Sequence, residues 1–336
     1  MKRGCLLFLM ICFAVIISSC NTNKNRPIKL KGLAQGTYYA ITYYDSLDRN
    51  YANAVDSLLS VFNLTASNYH PESILSKINY SEPTELNDIF IDIFLDAQEI
   101  AEETNGYFDI TVRPLVDMWG FGGSNAEDIS SQKIDSVLQF VGYKKVTLTG
   151  KKIIKSDERL RLDFNPIAQG YSADWIAEFF ESKGIKNYLI DIGGEVLAKG
   201  KKTNNAAWIV GIEKPAEEMS SDRKVMTKVH LINKALATSG SYRKYHIKDG
   251  VRYSHTIDPH TGYPAHHNLL SASVLADNCC KADAYATACM SMGFHKAKEF
   301  IEKSPELEAY FIVASDTSDS KYYIYATEGM KKIIEE

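Results

Sequence analysis

The run AQGYSADWIAEFFESKGIKNYLIDIGG, residues 168–194, gives the clearest indication of the architecture. An aromatic residue stands at every fourth position from Tyr171 to Phe179, which predicts a helix from Ala168 to Lys183 with one apolar face. The apolar segment that follows predicts a strand from Tyr188 to Ile192, which ends at a Gly-Gly pair. A helix is thus followed at once by a strand.

The rest of the chain has the same mixed pattern. The periodicity predicts strands at Tyr38–Tyr44, Trp208–Ile212, Lys224–Ile232, Leu269–Leu275, Tyr310–Ala314 and Lys321–Ala326, and helices at Tyr51–Phe62, Asn87–Thr104, Ser130–Phe140 and Lys281–Met292. Several strands follow one another without a helix between them. This favours an α+β fold with layered, mixed or largely antiparallel sheets, in a single two-lobed unit, over a doubly wound fold.

Composition excludes two broad classes of protein. The 336 residues are 45% hydrophobic and 24% charged, as in a globular protein and not a disordered one. Lys and Arg total 38 against 42 for Asp and Glu, so the net charge of -4 gives no basic surface for a nucleic-acid backbone. No nucleic-acid partner is expected.

The N-terminus indicates export. Lys2 and Arg3 precede a short apolar stretch, which predicts a signal peptide over residues 1–19. Its end, Ile-Ser-Ser-Cys20, resembles a bacterial lipobox, so Cys20 is predicted to be lipidated and residues 20–27 to form a tether. The alternative is an ordinary signal peptide with an incidental cysteine. Residues 28–336 would then form the folded domain of a bacterial membrane lipoprotein outside the cytosol, on the periplasmic side.

Asp283 and Thr287 are candidate metal ligands. In a helix they stand at positions i and i+4, so a carboxylate and a hydroxyl project side by side. Mg²⁺ prefers such hard oxygen ligands and completes its shell with water and substrate phosphates. The alternative is a helix-capping or solvent-facing pair.

Two further segments could face a ligand. From Asp163 the chain turns through Pro166 into the helix at Ala168, whose free N–H groups could bind a phosphate. The alternative is an ordinary connection in which Asp163 caps the helix. In Trp119-Gly120-Phe121 a flat ring could approach the backbone closely, although core aromatic residues beside a turn are the alternative.

His255 follows Ser254 and precedes the turn-forming Asp-Pro and Thr-Gly-Tyr-Pro segments. An imidazole at such a loop could act as a general base, whereas a structural histidine is the alternative. A Ser-His-Asp hydrolase would need a Gly-x-Ser-x-Gly turn, which the sequence lacks here.

Together and in this order the motifs resemble the ApbE family of FAD:protein FMN transferases. The matching segments are Gln35-Gly-Thr-Tyr38, Ser76-Lys-Ile-Asn79, Gly106-Tyr-Phe-Asp-Ile-Thr111, Trp119-Gly-Phe-Gly122, Asp163–Asp174, Asp191-Ile-Gly-Gly-Glu195, Thr238-Ser-Gly240, Ser254-His255 and Asp283-Ala-Tyr-Ala-Thr287. The resemblance spans nearly the whole mature chain and implies the T-fold-like architecture of that family.

The resemblance also implies site residues. The metal would be bound by the side chains of Asp283 and Thr287 and by a backbone carbonyl, that of Pro166, where relatives often have alanine or threonine. Flavin contacts would fall on Gln35, Tyr69, Trp119, Gly120, Phe121, Asp163, Gln169, His255 and Ile257. Many relatives have methionine where Gln35 stands, and lysine or glutamate where Gln169 stands.

The implied reaction uses Mg²⁺ and takes FAD as substrate. A Ser or Thr hydroxyl of an acceptor, a flavoprotein subunit of an extracytoplasmic electron-transfer complex, would attack the FMN-side phosphorus, with His255 as base and AMP as leaving group. Two alternatives remain open: an Mg²⁺-dependent FAD pyrophosphatase, in which water replaces the hydroxyl, and a flavin-binding lipoprotein without turnover.

Overall fold

A computed structural model of the chain describes residues 26–122, 129–215, 224–241, 245–248, 251–315 and 321–335. The predicted signal peptide and Cys20 lie outside the described residues. Within the described ranges, no helix has the length and apolar character needed to cross a membrane.

The strands of the described chain are β1 (Ile28–Ala34), β2 (Thr37–Tyr43), β3 (Val146–Thr149), β4 (Lys152–Lys155), β5 (Tyr188–Ile192), β6 (Glu195–Lys199), β7 (Trp208–Glu213), β8 (Val225–Leu231), β9 (Lys234–Gly240), β10 (Tyr245–Lys248), β11 (Val251–Ser254), β12 (Leu269–Ala276), β13 (Glu308–Ala314) and β14 (Tyr322–Ala326). The helices are α1 (Ala52–Ala66), α2 (Ile74–Asn79), α3 (Asp88–Glu103), α4 (Arg113–Met118), α5 (Ser131–Leu138), α6 (Ala168–Ser182), α7 (Cys279–Met292), α8 (Phe294–Lys303) and α9 (Glu328–Lys331), with a 3-10 turn at Tyr143–Lys145.

Every predicted helix and strand is present, with ends that differ by a few residues. α1 continues to Ala66, one turn beyond the predicted end. α7 begins two residues before the predicted start, because the Asn278 side chain accepts a hydrogen bond of 2.8 Å from the Lys281 N–H and caps the helix there. Several further elements were not predicted from the sequence, among them β1, β6, β9 and α8.

The main sheet has eight strands in the order β1-β2-β5-β6-β9-β12-β13-β14. All neighbouring strands in it are antiparallel. Three separate hairpins, β3–β4, β7–β8 and β10–β11, accompany it. The predicted α+β class with largely antiparallel sheets is therefore confirmed.

The central strands of this sheet are buried on both faces. In β13, Ala309, Phe311 and Val313 belong to the large core that includes α6 and α7. Tyr310 and Ile312, which point the other way, belong to a second core formed with the β7–β8 hairpin and α9. Thus α7, which carries Asp283 and Thr287, and α6, which follows Pro166, lie on one face of the sheet, in its larger core.

Candidate active site

The N-terminal ends of α6 and α7 lie against each other. A Cβ atom on Gly170 would be 2.3 Å from the carbonyl oxygen of Cys279, so only glycine fits. Asp283 Oδ2 on α7 accepts a hydrogen bond of 3.0 Å from the Gly170 N–H. In return, the Asp174 carboxylate on α6 accepts bonds of 2.8 and 2.7 Å from the N–H groups of Cys279 and Cys280. Each helix therefore satisfies amide groups that the other leaves free at its start.

Asp283 and Thr287 project from the same side of α7, four residues apart. Asp283 is buried and Thr287 is half-buried. Burial raises the pKa of Asp283 well above its ordinary value, and the negative charge of Glu195 raises it further, whereas the Gly170 N–H opposes the rise. A divalent cation at this point would relieve the repulsion between the carboxylates.

The donor atoms suit Mg²⁺. Among the described residues, no group of three or more His, Cys, Asp or Glu side chains could hold a metal ion. A cation beside Asp283 would therefore depend on hydroxyl, carbonyl, water and phosphate oxygens, which is the usual shell of Mg²⁺ and not of Zn²⁺. Pro166 lies half-buried in the turn two residues before α6, so its carbonyl belongs to the same end of that helix. The residues present fit the predicted ion.

Gln35 and Gln169 lie at the first turns of α6, Gln169 as its second residue. Gln35 lies in the β1–β2 turn with a φ of 51°, and its side-chain amide donates a hydrogen bond to the Ser172 hydroxyl. The Gln169 side chain packs on Gly193, where an added Cβ atom would be 2.5 Å from Gln169 Nε2. Gln35 also lines a cavity of about 550 Å³ between this turn and α1. Both predicted flavin contacts thus lie at the metal-ligand end of α6.

Asp163 and Tyr69 form a second part of the site. Asp163 is buried, and its Oδ1 accepts hydrogen bonds of 2.5 Å from Asn68 Nδ2 and 2.8 Å from the Asn165 N–H. Burial raises the pKa of Asp163, whereas the nearby Arg113 guanidinium lowers it. Tyr69 is 68% exposed, and its hydroxyl accepts a bond of 3.3 Å from Asn165 Nδ2. The alternative that Asp163 caps α6 is wrong, because its described hydrogen bonds come from Asn68 and Asn165, ahead of that helix, whereas Asp283 bonds the Gly170 N–H in the first turn.

The Trp119–Phe121 turn packs on the chain that follows β11. Trp119 Nε1 donates a hydrogen bond of 2.9 Å to the Gly262 carbonyl oxygen. Trp119 and Ile257 are buried in one apolar cluster, and Phe121 packs against it. Gly120 has a φ of 80°, a left-handed conformation that glycine adopts most readily. The structure thus brings these four predicted flavin contacts together.

His255 directly follows β11 and is half-buried. The loop after it returns on itself, because Ile257 pairs with Pro264 and the Ala265 N–H donates a bond of 2.8 Å to the Thr256 carbonyl oxygen. His255 therefore stands at the base of the loop that contacts Trp119. None of these described contacts tests whether His255 acts as a base, so that role stays a prediction.

Arg113 connects these groups, and the sequence reasoning missed it. Its Nε donates a bond of 2.9 Å to Asp117 Oδ1, and its Nη2 donates a bond of 3.1 Å to the Gly122 carbonyl oxygen. Its guanidinium lies 5.8 Å from the centre of the Tyr69 ring, and Nη1 is 3.8 Å from Asp163 Oδ2. The sequence signal for it was its position between the family-like segment Gly106–Thr111 and the predicted flavin contacts that begin at Trp119.

A family model described as the ApbE family matches residues 35–311. The chain belongs to the ApbE family. The predicted family is thereby confirmed.

Curated relatives support this membership. The chain is 33% identical to a FAD:protein FMN transferase of Vibrio cholerae, over 88% of the chain and 90% of that protein. It is 31% identical to a Haemophilus influenzae protein of the same name, over 100% of the chain and 99% of that protein.

Solved ApbE structures resemble it closely. The flavin transferase ApbE from Vibrio cholerae superposes with a TM-score of 0.80 at 31% identity, over 92% of this chain and 99% of that one. The apo form of the Pseudomonas stutzeri flavinyl transferase ApbE gives 0.82 at 27% identity, over 93% and 98%. The predicted ApbE-like fold is confirmed, whereas the individual site residues stay predictions.

Proposed function

We propose that this ApbE-family chain transfers the FMN half of FAD to a Ser or Thr hydroxyl of an acceptor protein outside the cytosol, in an Mg²⁺-dependent reaction that releases AMP. Curated relatives named FAD:protein FMN transferase, aligned over 88% and 100% of the chain, support the transfer of FMN from FAD to protein. The observation that supports the metal dependence is the contact of Asp283 with the Gly170 amide, because it brings a buried carboxylate to the first turn of the helix that follows Pro166. Thr287 stands four residues after Asp283 in α7.

Asp283, Thr287 and the Pro166 carbonyl would hold the Mg²⁺ ion, which would neutralise the pyrophosphate oxygens of FAD and make the phosphorus easier to attack. The burial of Asp283 strengthens this electrostatic effect. Asp283 has little access to water, and electrostatic interactions are stronger in such an environment.

The proposed transfer step is a displacement at the FMN-side phosphorus. The acceptor hydroxyl oxygen forms a new P–O bond, and the bond between this phosphorus and the bridging oxygen breaks, so that AMP leaves with that oxygen. His255 accepts the hydroxyl proton as general base. The flavin remains attached to the acceptor through a phosphoester.

The flavin dinucleotide is proposed to bind between two groups of residues. Gln35 and Gln169 lie at the start of α6, beside the metal ligands. Tyr69, Asp163 and the Trp119–Phe121 turn form the second group, and Ile257 belongs to the same apolar cluster as Trp119. Because the two groups are joined by the segment from Asp163 into α6, one extended ligand could contact both.

We also propose that the protein is a lipoprotein anchored through Cys20, with the enzyme domain on the periplasmic side. The sequence ahead of Cys20 is the support for this. In a Cys20→Ala variant the chain should no longer be labelled by a radioactive or clickable fatty acid, and it should move from the membrane to the soluble fraction. Equal labelling of the variant and the wild type would contradict the anchor.

The transfer is tested by incubating the purified protein with FAD, Mg²⁺ and a candidate acceptor subunit. Transfer leaves covalent flavin fluorescence on the acceptor after denaturation, and mass spectrometry should locate it on a Ser or Thr. A matched reaction with EDTA should show neither AMP nor labelled acceptor.

The two alternatives give different outcomes. A pyrophosphatase releases AMP and free FMN in the presence of the acceptor and leaves the acceptor unlabelled. A flavin-binding protein without turnover binds FAD and releases no AMP at saturating Mg²⁺. Either result would contradict the proposed transfer.

A further inference from the structure

Three buried side-chain atoms in the candidate site lack a hydrogen-bond partner in the described part of the chain. They are Gln35 Oε1, Asn68 Oδ1 and Arg113 Nη1. Buried polar groups are paired in the great majority of cases, and an exception indicates an absent water, ion or ligand. Gln35 is itself a predicted flavin contact, and the other two residues touch Asp163.

Arg113 is the most informative of the three because its charge cannot be removed by deprotonation. Its side chain is only 12% exposed. Nε and Nη2 are used by Asp117 and Gly122, whereas Nη1 has no hydrogen bond and lies 3.8 Å from Asp163 Oδ2. A buried guanidinium with an unused donor is unfavourable unless an acceptor reaches it.

The neighbouring carboxylate has a complementary arrangement. Both side-chain hydrogen bonds described for Asp163 end on Oδ1, from Asn68 and from the Asn165 N–H. Oδ2 instead faces Arg113 Nη1 at 3.8 Å. An acceptor and a donor thus stand side by side in a buried position. This pair matches a heteroaromatic ring edge that has an N–H group next to an acceptor atom.

FAD contains two rings with such an edge. Adenine has its amino group beside a ring nitrogen, and the isoalloxazine ring has its imide N–H beside a carbonyl oxygen. We propose that Arg113 is a binding residue of the dinucleotide site: its Nη1 donates to the acceptor on one of these ring edges, while Asp163 Oδ2 accepts from the N–H beside it. The inference rests on the proposed function, because it takes FAD as the ligand.

The same guanidinium positions the residues around the ring. It joins the Trp119–Gly122 turn through the Gly122 carbonyl oxygen, and its face lies 5.8 Å from the centre of the Tyr69 ring. An aromatic side chain that is 68% exposed beside a buried donor–acceptor pair is available to stack on a bound ring. The subsite therefore supplies hydrogen bonds at the ring edge and an aromatic surface for its face.

The test measures binding of FAD, AMP and FMN by isothermal titration calorimetry with Mg²⁺ present. AMP and FMN have no pyrophosphate bond to break, and chromatography after the FAD titration checks that FAD is intact. AMP contains only the adenine ring and FMN contains only the isoalloxazine ring. The variants are Arg113→Gln, which removes the charge, and Arg113→Lys, which keeps the charge but loses the planar set of donors.

Arg49→Gln is a matched control. Arg49 donates 2.7 and 2.9 Å bonds to Asp45, lies 5.4 Å from the Tyr51 ring centre and donates a 2.9 Å bond to the Lys183 carbonyl oxygen. It therefore makes the same three kinds of contact as Arg113. Lys183 follows the last residue of α6, at the opposite end from Pro166. Loss of Arg49 should lower stability without changing ligand affinity.

We expect Arg113→Gln to weaken the binding of FAD, and of only one of the two fragments, by roughly 10- to 100-fold. This is the effect of losing a hydrogen bond to a charged group. Arg113→Lys should restore part of the affinity for that fragment. The weakened fragment identifies the ring in the subsite. Unchanged affinity for both fragments overturns the inference, and so does an equal loss for both, which would indicate a purely structural arginine.

A pH series gives an independent readout. Asp163 accepts from the ring most strongly when it is ionised. The charged groups that affect its pKa are Arg113, which lowers it, and Asp117, which raises it. Without Arg113, binding of the affected fragment should begin at a higher pH, whereas binding of the other fragment should keep the wild-type profile. Unshifted profiles for both fragments contradict the inference.

Failure of the proposed function is distinguishable from failure of this inference. If the wild type binds FAD and one fragment depends on Arg113, but no acceptor is labelled, the subsite is supported and the transfer is refuted. If the acceptor is labelled and Arg113→Gln binds both fragments normally, the transfer is supported and the subsite is refuted. A wild type that binds neither FAD nor the two fragments refutes both.

Discussion

Replacing Gly170 by alanine should separate α6, which follows Pro166, from α7, which carries Asp283 and Thr287. The added Cβ atom would lie 2.3 Å from the Cys279 carbonyl oxygen, 2.7 Å from its carbonyl carbon and 2.8 Å from Asp283 Cβ. Ordinary contacts of this kind lie at 3.4–4 Å. Two of the three opposing atoms are backbone, so no flexible side chain can move aside. The helices must therefore shift apart at this point by on the order of 1 Å.

The cost follows from this geometry. A shift of that size would lengthen the 3.0 Å bond between the Gly170 N–H and Asp283 Oδ2 beyond hydrogen-bonding distance. Overpacking of a core costs about 1–3 kcal/mol, and a rigid backbone contact puts this site near the upper value. Alanine has a higher helix propensity than glycine, which offsets about 1 kcal/mol of this loss of stability. We expect a net loss of about 2 kcal/mol and, for a chain of this length, a Tm lower by about 4 °C.

The assay combines thermal unfolding with an Mg²⁺ titration of AMP release from FAD. Gly170→Ala should lower Tm and also raise the Mg²⁺ concentration for half-maximal activity, because Asp283 moves. Gly184→Ala is the control: it lies just beyond the other end of α6 and has a φ of 79° and no atom within 4 Å of the added Cβ. It should lose about 1 kcal/mol through backbone strain alone and keep the wild-type Mg²⁺ dependence. A Gly170→Ala protein with unchanged Mg²⁺ dependence would refute the reasoning.

Three other substitutions test single residues. Asp283→Asn keeps the side-chain volume but loses the charge, so Mg²⁺-dependent AMP release should fall by at least about 100-fold while Tm is kept or raised; an active variant excludes Asp283 as ligand. His255→Ala should slow transfer by about 10²- to 10⁴-fold and leave the Kd for FAD unchanged, whereas an unchanged rate removes the assignment as base. Burial raises the pKa of Asp174 from 3.8 to about 7. Its contribution to stability is therefore complete below about pH 4 and is lost as the pH rises through 7, so Asp174→Asn should have a flatter dependence of Tm on pH over that range; parallel curves contradict this.

Local periodicity was sufficient to predict the helices and strands that have one apolar face or a clear end. The helix from Ala168 was predicted within a residue of its observed end, and the strand from Tyr188 to Ile192 was predicted without error. Asp283 and Thr287 were placed correctly on one side of a helix, because i and i+4 positions share a face whatever the tertiary structure.

The strands in the middle of the sheet have no such periodicity in their sequences. β6 and β9 have the sequences EVLAK and KALATSG, which lack a regular alternation and are poor in β-branched residues. Both faces of the sheet are buried, so alternation between apolar and polar residues is not required there. Pairing of β9 with β6 and β12 determines their structure, and such pairing joins residues far apart in the sequence.

The contacts that assemble the site are equally non-local. Arg113 and Asp163 are fifty positions apart in the chain, and Gly170 and Asp283 are more than a hundred apart. No pattern within a helix or strand could show that these pairs meet. The resemblance to a family supplied the site residues that it names, whereas Arg113 became visible only through its unpaired donor.

The charges at the junction of α6 and α7 link the metal ion to the dinucleotide. Two carboxylates, Asp174 and Asp283, already occupy the positive ends of both helices, and each is compensated by backbone N–H groups of the other helix. Glu195 adds a third negative charge that acts on Asp283. A pyrophosphate brought here alone would be repelled by these carboxylates in their ionised form. A cation is therefore needed before this end of α6 can accept a phosphate, and the same repulsion makes the cation more favourable once the phosphate is present. Tight binding of Mg²⁺ and of FAD should accordingly depend on each other, as expected for a metal that two protein side chains and a substrate share.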